Sequence, residues 1–142
     1  MLRVFPMILI AVIAYNVMVF GSGAAGQHDM AGLLDGGFSI TVFSGDVWKV
    51  SLGDMFLVGT LGLLFAEIIK ATGTSHREIL NHGLSMVVFV GAMAEFLVLK
   101  GFATSTFFLI TAMCLFDVVA GYTISLISAK RDLSMAPHDQ HQ

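Results

Sequence analysis

The stretch from Thr104 to Ser128, TSTFFLITAMCLFDVVAGYTISLIS, constrains this chain more than any other. It is apolar over 25 residues and carries one charge, Asp117, near its middle. A helix crosses the hydrocarbon of a bilayer with about 20 apolar residues, so the run is long enough to span. A carboxylate at mid-depth is costly and normally faces protein or water, not acyl chains. Thr111, Cys114, Asp117, Gly121, Ser125 and Ser128 recur at three- and four-residue spacing, which places them on one stripe of a helix. Small and weakly polar residues are what membrane helices put at their contacts, because they let backbones approach closely. The expectation is a helix that turns its Asp117 face toward other helices.

Three more apolar runs precede it, at about 3–20, 54–70 and 79–99. The first carries Pro6 in what should be its first turn, where proline is tolerated. It is longer than a usual signal-peptide core, so it is read as a retained helix and not a cleaved leader. Tyr15 suits a membrane interface, and Asn16 suits a hydrogen bond between helices. The second run opens on Ser51-Leu52-Gly53-Asp54, the pattern of a capping box. It carries Gly59, Gly62 and Ala66 as a small-residue face, with Thr60 and Glu67 beside it. In the third, Asn81, Ser85, Val88, Ala92 and Glu95 follow a four-three-four-three spacing and should share one stripe. Lys100 to Ala103 reads as a tight turn, with Thr104 as the cap of the last helix.

Between the first two runs, residues 21–52 are of another kind. GSGAAGQHDMAGLLDGG is glycine-rich and reads as a mobile loop. After it, FSITVF and VWKVS flank Ser44-Gly45-Asp46, which predicts a β-hairpin. An isolated two-stranded hairpin is marginal in water, so it must lean on something. Phe38, Ile40, Val42, Val47 and Trp48 could rest on the membrane surface, or the sheet edge could recruit a strand from a partner.

The composition agrees. Of 142 residues, 56% are hydrophobic and 12% charged, half the charge of an ordinary soluble domain. A net charge of −3 gives no reason to expect a nucleic acid partner. Cys114 is the sole cysteine, so no intramolecular disulfide can form. The expected architecture is a single all-α membrane domain over residues 1–142, an antiparallel bundle of four transmembrane helices. A short external β-hairpin lies between helices 1 and 2, and residues 129–142 form a cytoplasmic tail. Four spans bring Arg3, Lys70, Arg77, Lys130 and Arg131 to one side, with Lys49 and Lys100 on the other. By the positive-inside rule both termini are then cytoplasmic.

The polar groups in the spans admit two kinds of role. Glu67 can pair with Lys70, and Glu95 can reach the interface near Lys100 or pair with Asn16. Asp117 is either a structural acid joining two helices or a proton- or ion-binding group. His82 is expected at the interface, where it could relay protons with Glu67. Haem ligation by His82 would need a second ligand that the sequence does not specify. His138 and His141 are read as solvated. No nucleophile elbow, phosphate loop or zinc pattern is present, so no catalytic residue, metal site or cofactor is expected.

With GDMFLVGTLGLLFAEIIKAT, HGLSMVVF, ATSTFFL and DVVAGYT in view, the chain from Val47 to Arg131 resembles an uncharacterised group of small four-helix bacterial inner-membrane proteins. The resemblance implies four spans in a bacterial inner membrane and transfers no functional residue. The function expected first is a non-catalytic accessory or scaffold subunit. It would pack in lipid with other membrane proteins in a larger complex, or with itself as a homo-oligomer. Gly59, Gly62 and Gly121 would then serve at helix contacts. The alternative is a small proton- or ion-coupled transporter or channel, a homo-oligomer working through Asp117 and Glu67.

Overall fold

A computed structural model describes residues 5–23, 29–71 and 76–135; in 76–80, 128–129 and 131–135 the backbone alone is described. Arg3, the loop residues 24–28 and 72–75, and the tail from 136 onward, with His138 and His141, lie outside the described residues. The elements run α1 (Ile8–Gly21), α2 (Met30–Asp35), β1 (Gly37–Thr41), β2 (Val47–Ser51), α3 (Leu52–Ala71), α4 (His76–Val98) and α5 (Ser105–Met135).

The capping box forms as the sequence predicts. The Asp54 amide donates to Ser51 Oγ at 3.0 Å, and the Ser51 amide donates to an Asp54 carboxylate oxygen at 2.9 Å. These bonds satisfy amides that a helix start leaves without intrahelical partners. Thr104 caps α5 in the same way, its Oγ1 accepting the Phe107 amide at 3.1 Å. Gly101 supplies the positive φ of 88° that closes the turn between α4 and α5. Along α4, Asn81, Ser85, Val88 and Ala92 are all buried, as their spacing requires.

Three helical boundaries differ from expectation. α1 begins at Ile8, not near residue 3, and Pro6 precedes it. The reason is chemical: the Met7 amide donates to Glu67 and the Phe5 carbonyl accepts from Lys70, so residues 5–7 are bound to α3. At about 1.5 Å per residue the 14 residues of α1 are some 21 Å long. α2 interrupts what reads as a mobile loop. Its Met30 and Leu34, one turn apart, are buried, and Leu34 lies against Gly53, whose missing side chain leaves room for Thr106 Oγ1. α5 continues to Met135, seven residues past its predicted end at Ser128.

The hairpin pairs Phe38 with Val50, Ser39 with Lys49, Ile40 with Trp48 and Thr41 with Val47. Side chains alternate across a strand, so Phe38, Ile40, Trp48 and Val50 share one face. Ser39, Thr41, Val47 and Lys49 share the other, and Lys49 reaches Asp35 of α2 at 2.6 Å. Gly45, at φ 91°, turns the chain between the strands. Strand and helix are joined without a linker: Ser51 ends β2 and caps α3, and the Leu52 amide donates to the Gly36 carbonyl at 2.6 Å.

Contacts fix the directions of the long helices. The start of α1 meets the end of α3, and Asn16 in its second half meets Glu95 near the end of α4. Each of α1, α3, α4 and α5 thus runs opposite to the one before it. Their shared core holds Ile8, Val12, Tyr15 and Val19 of α1 with Leu64, Val88, Phe107 and Ile110. Tyr15, Phe102 and Phe107 stack with ring centroids 4.6 to 5.6 Å apart. The Tyr15 hydroxyl, inside this aromatic cluster, bonds Thr104 Oγ1 at 2.6 Å and donates to the Gly101 carbonyl at 3.1 Å.

Leu52–Ala71, Asn81–Val98 and Ser105–Ile127 are long and apolar enough to cross a membrane. In the most apolar 18 residues of each, only 22%, 22% and 33% are buried by the chain itself, so apolar side chains dominate the outside as well as the core. Val58, Leu61, Phe65, Val87, Phe116 and Val119 all point outward. α1 is apolar but shorter.

Replacing Tyr15 by Phe removes both hydroxyl bonds and keeps the ring stack. The expected loss of stability is about 1 kcal/mol, read from reversible unfolding in mixed micelles.

Candidate functional site

Polar groups gather at two places along the bundle. At one end the Glu67 carboxylate, 1% exposed, is the hub. Lys70 lies 2.8 Å from its Oε1 and 3.0 Å from its Oε2. The Asn81 amide of α4 donates to Oε1 at 2.5 Å, and the Met7 backbone amide donates to Oε2 at 2.8 Å. Lys70 also donates to Asn81 Oδ1 at 3.3 Å and to the Phe5 carbonyl at 2.8 Å. The predicted Glu67–Lys70 pair is therefore present, but its carboxylate is buried, its ammonium is partly exposed, and it joins three segments. An i,i+3 spacing reveals the pair; nothing in the spacing reveals that Met7, Phe5 and Asn81 converge on it.

Toward the other end, Asn16 Nδ2 donates to Glu95 Oε2 at 2.9 Å and to the Val12 carbonyl at 3.0 Å. Asn16 and Glu95 are thus brought together as expected. Two structural requirements meet here: an amide buried in a helix needs a partner, and a half-buried acid needs a donor.

Asp117 of α5 stands between these groups. It is 3% exposed and faces Ser85 of α4, which is 1% exposed, with Glu67, Lys70 and His82 within electrostatic reach. Asp117 Oδ2 and Ser85 Oγ are the buried side-chain oxygens that lack a hydrogen-bond partner among the described residues. The helical stripe in the sequence correctly turns Asp117 inward. Ser85 lies on the predicted stripe of α4, yet its pairing with Asp117 needs the register between the two helices, which the sequence does not contain.

His82 does not bond Glu67. Its Nε2 lies 2.9 Å from Ser125 Oγ on α5. Its ring fills the space over Gly121, where any Cβ would overlap the imidazole. Gly121 is therefore a point of close approach between α4 and α5. Gly59 and Gly62 are not of this kind. Nothing of the chain lies within 4 Å of where their Cβ atoms would be. Gly59 lines a groove between α1 and α3, and Gly62 lines an open apolar groove on the outside of α3. The buried face of α3 is instead Gly53, Thr60, Leu64, Glu67 and Ala71.

On the hairpin, Phe38, Ile40, Val42, Val47 and Trp48 are all exposed, so nothing among the described residues covers them. Among the described residues no group of three or more His, Cys, Asp or Glu side chains converges as a metal centre would require.

Glu67→Leu strands Lys70 without its carboxylate. The expected cost is about 3–5 kcal/mol, measured by unfolding in detergent. Adding Lys70→Met to it should recover most of the loss, because an apolar pair of similar volume leaves no buried charge unpaired.

No protein family, no curated protein and no solved structure matches the chain.

Proposed function

We propose that this chain is a multi-pass protein of a bacterial inner membrane that crosses four times, with both termini cytoplasmic. We further propose that it serves as a non-catalytic accessory or scaffold subunit. The observation that carries the second reading is the hairpin. Its Phe38–Ile40–Trp48 face is exposed while its opposite face is tied by Lys49 to Asp35. A fixed apolar face at the end of an apolar span suits a neighbouring membrane protein or a second copy of the chain.

Four crossings are supported by the packing of α1. It lies along the three longer helices and is held near both ends, at Met7 and at Tyr15 and Asn16. The charges fit the orientation: Lys70 lies at one end of the bundle, and Lys49 and Lys100 belong to the other. The side chains of Arg3, Arg77 and Arg131, which complete the pattern, lie outside those described.

A second reading, proton- or ion-coupled transport by a homo-oligomer through Asp117 and Glu67, draws support from Asp117 alone. Asp117 keeps a buried oxygen without a partner, whereas both Glu67 oxygens are taken.

Two experiments test these readings. With Cys114 buried, a membrane-impermeant thiol reagent should label Ser44→Cys in intact spheroplasts. Arg3→Cys and Lys130→Cys should react only after permeabilisation; labelling of either from outside rejects four crossings. The mass of the wild-type complex in mild detergent should exceed that of one chain. Trp48→Ala with Ile40→Ser should reduce it toward one chain, and an unchanged mass rejects the hairpin as the docking element. Proton-driven flux in liposomes that Asp117→Asn abolishes, with the assembly intact, would establish transport instead.

A further inference from the structure

We propose that Asp117 and Ser85 hold one exchangeable proton inside the bundle, and that His82, seated over Gly121, passes it to the end of the bundle where Ser125 lies. The inference does not depend on whether the chain is a scaffold or a transporter.

The first support is the pair of orphaned oxygens. Asp117 Oδ2 and Ser85 Oγ face each other across α4 and α5, are both buried, and have no other partner. A protonated carboxyl can donate to the serine oxygen, and an ionised one can accept from the serine hydroxyl. A small side-chain movement and a hydroxyl rotation therefore satisfy the pair in either state. A site of this kind takes up and gives back a proton without repacking its surroundings.

The second support is the charge count. The titratable groups facing Asp117 are Glu67 and Lys70 from α3, His82 from α4 and Cys114 from its own helix. Among the described residues α1 brings no charged side chain here. Lys70 is the one ammonium in reach among the described residues, and Glu67 engages it through both oxygens. No described cation is therefore left to pair with an ionised Asp117, which favours a proton held on the acid.

The third support is the path. Asp117, Gly121 and Ser125 lie on successive turns of α5, about 6 Å apart along the axis. The missing side chain of Gly121 is replaced by the imidazole, whose Nδ1 and Cε1 point at that position. Its other nitrogen, Nε2, is on Ser125. An imidazole can accept a proton at one nitrogen and release one from the other. His82 is near Asp117 but not bonded to it here, so a swing of the imidazole brings Nδ1 to the acid; the Asp117 O–H bond then breaks as the Nδ1–H bond forms, and the Nε2 proton leaves by way of Ser125 to water. His82 is only half-buried, so the path ends near the outside. A metal cation fits poorly, because two oxygens fall well short of the six or so that hard cations take.

Infrared difference spectroscopy of the full chain in lipid nanodiscs tests this. At neutral pH the spectrum should contain a carboxylic acid carbonyl band that is missing in Asp117→Asn and displaced in Ser85→Ala. Deuterium exchange of that acid should slow on the order of a hundredfold in His82→Phe and in Gly121→Ala. If Asp117→Asn does not fold, aspartate labelled with carbon-13 at the carboxyl should shift the band in the unmutated chain. The other described aspartates, 29, 35, 46 and 54, are exposed. The proposal is overturned if no such band exists at any pH, or if the band survives Asp117→Asn and ignores the label. It is also overturned if exchange is unchanged in both relay variants, or if sodium at constant pH abolishes the band.

Discussion

The structure depends on the need to give every polar group inside an apolar chain a partner from another helix. Hydrophobic attraction orders helices weakly when the surroundings are as apolar as the helices themselves. Direction then comes from the polar bonds. α1 shows this most clearly: Met7 is held by Glu67, and Tyr15 and Asn16 are held by Thr104, Gly101 and Glu95. A 14-residue helix with so few polar groups would otherwise be free to slide or rotate against its neighbours.

The two knots differ in chemistry. The one at Tyr15 and Asn16 sets hydroxyl and amide groups beside aromatic packing, and its only acid is Glu95. The one at Glu67 is ionic and joins α1, α3 and α4. Asp117 lies beside the ionic knot without belonging to it. Both Glu67 oxygens are held, from α3, α4 and the segment before α1, whereas Asp117 keeps one oxygen unfilled. That contrast, which no count of acids in the spans conveys, separates a structural carboxylate from a candidate working one.

Much of this arrangement is legible in the sequence wherever a single helix carries the information. The inward stripes of α4 and α5, the caps at Ser51 and Thr104, and the hairpin all follow from local spacing. What the sequence withholds is register between elements. It marks Gly59 and Gly62 as contact residues, and neither is filled from within the described chain: Gly59 lines a groove between α1 and α3 and Gly62 an open groove on α3, because a small-residue stripe marks a possible contact and not the partner that fills it. It likewise starts α1 too early, because Phe5 and Met7 are engaged by side chains from a helix sixty residues away. The α2 turn is hidden by its glycines, though Met30 and Leu34 stand one turn apart, the spacing an apolar helical face needs.

The junction at Ser51 carries a mechanical consequence. Because one residue closes the sheet and opens α3, and Gly36 grips the first amide of that helix, no hinge separates them. The hairpin is a rigid handle. A partner that pulls on Trp48 would tilt α3 as a lever, and the far arm of that lever ends at Glu67 and Lys70, beside Asp117. Strain applied outside the bundle would thus arrive where its interior acids meet.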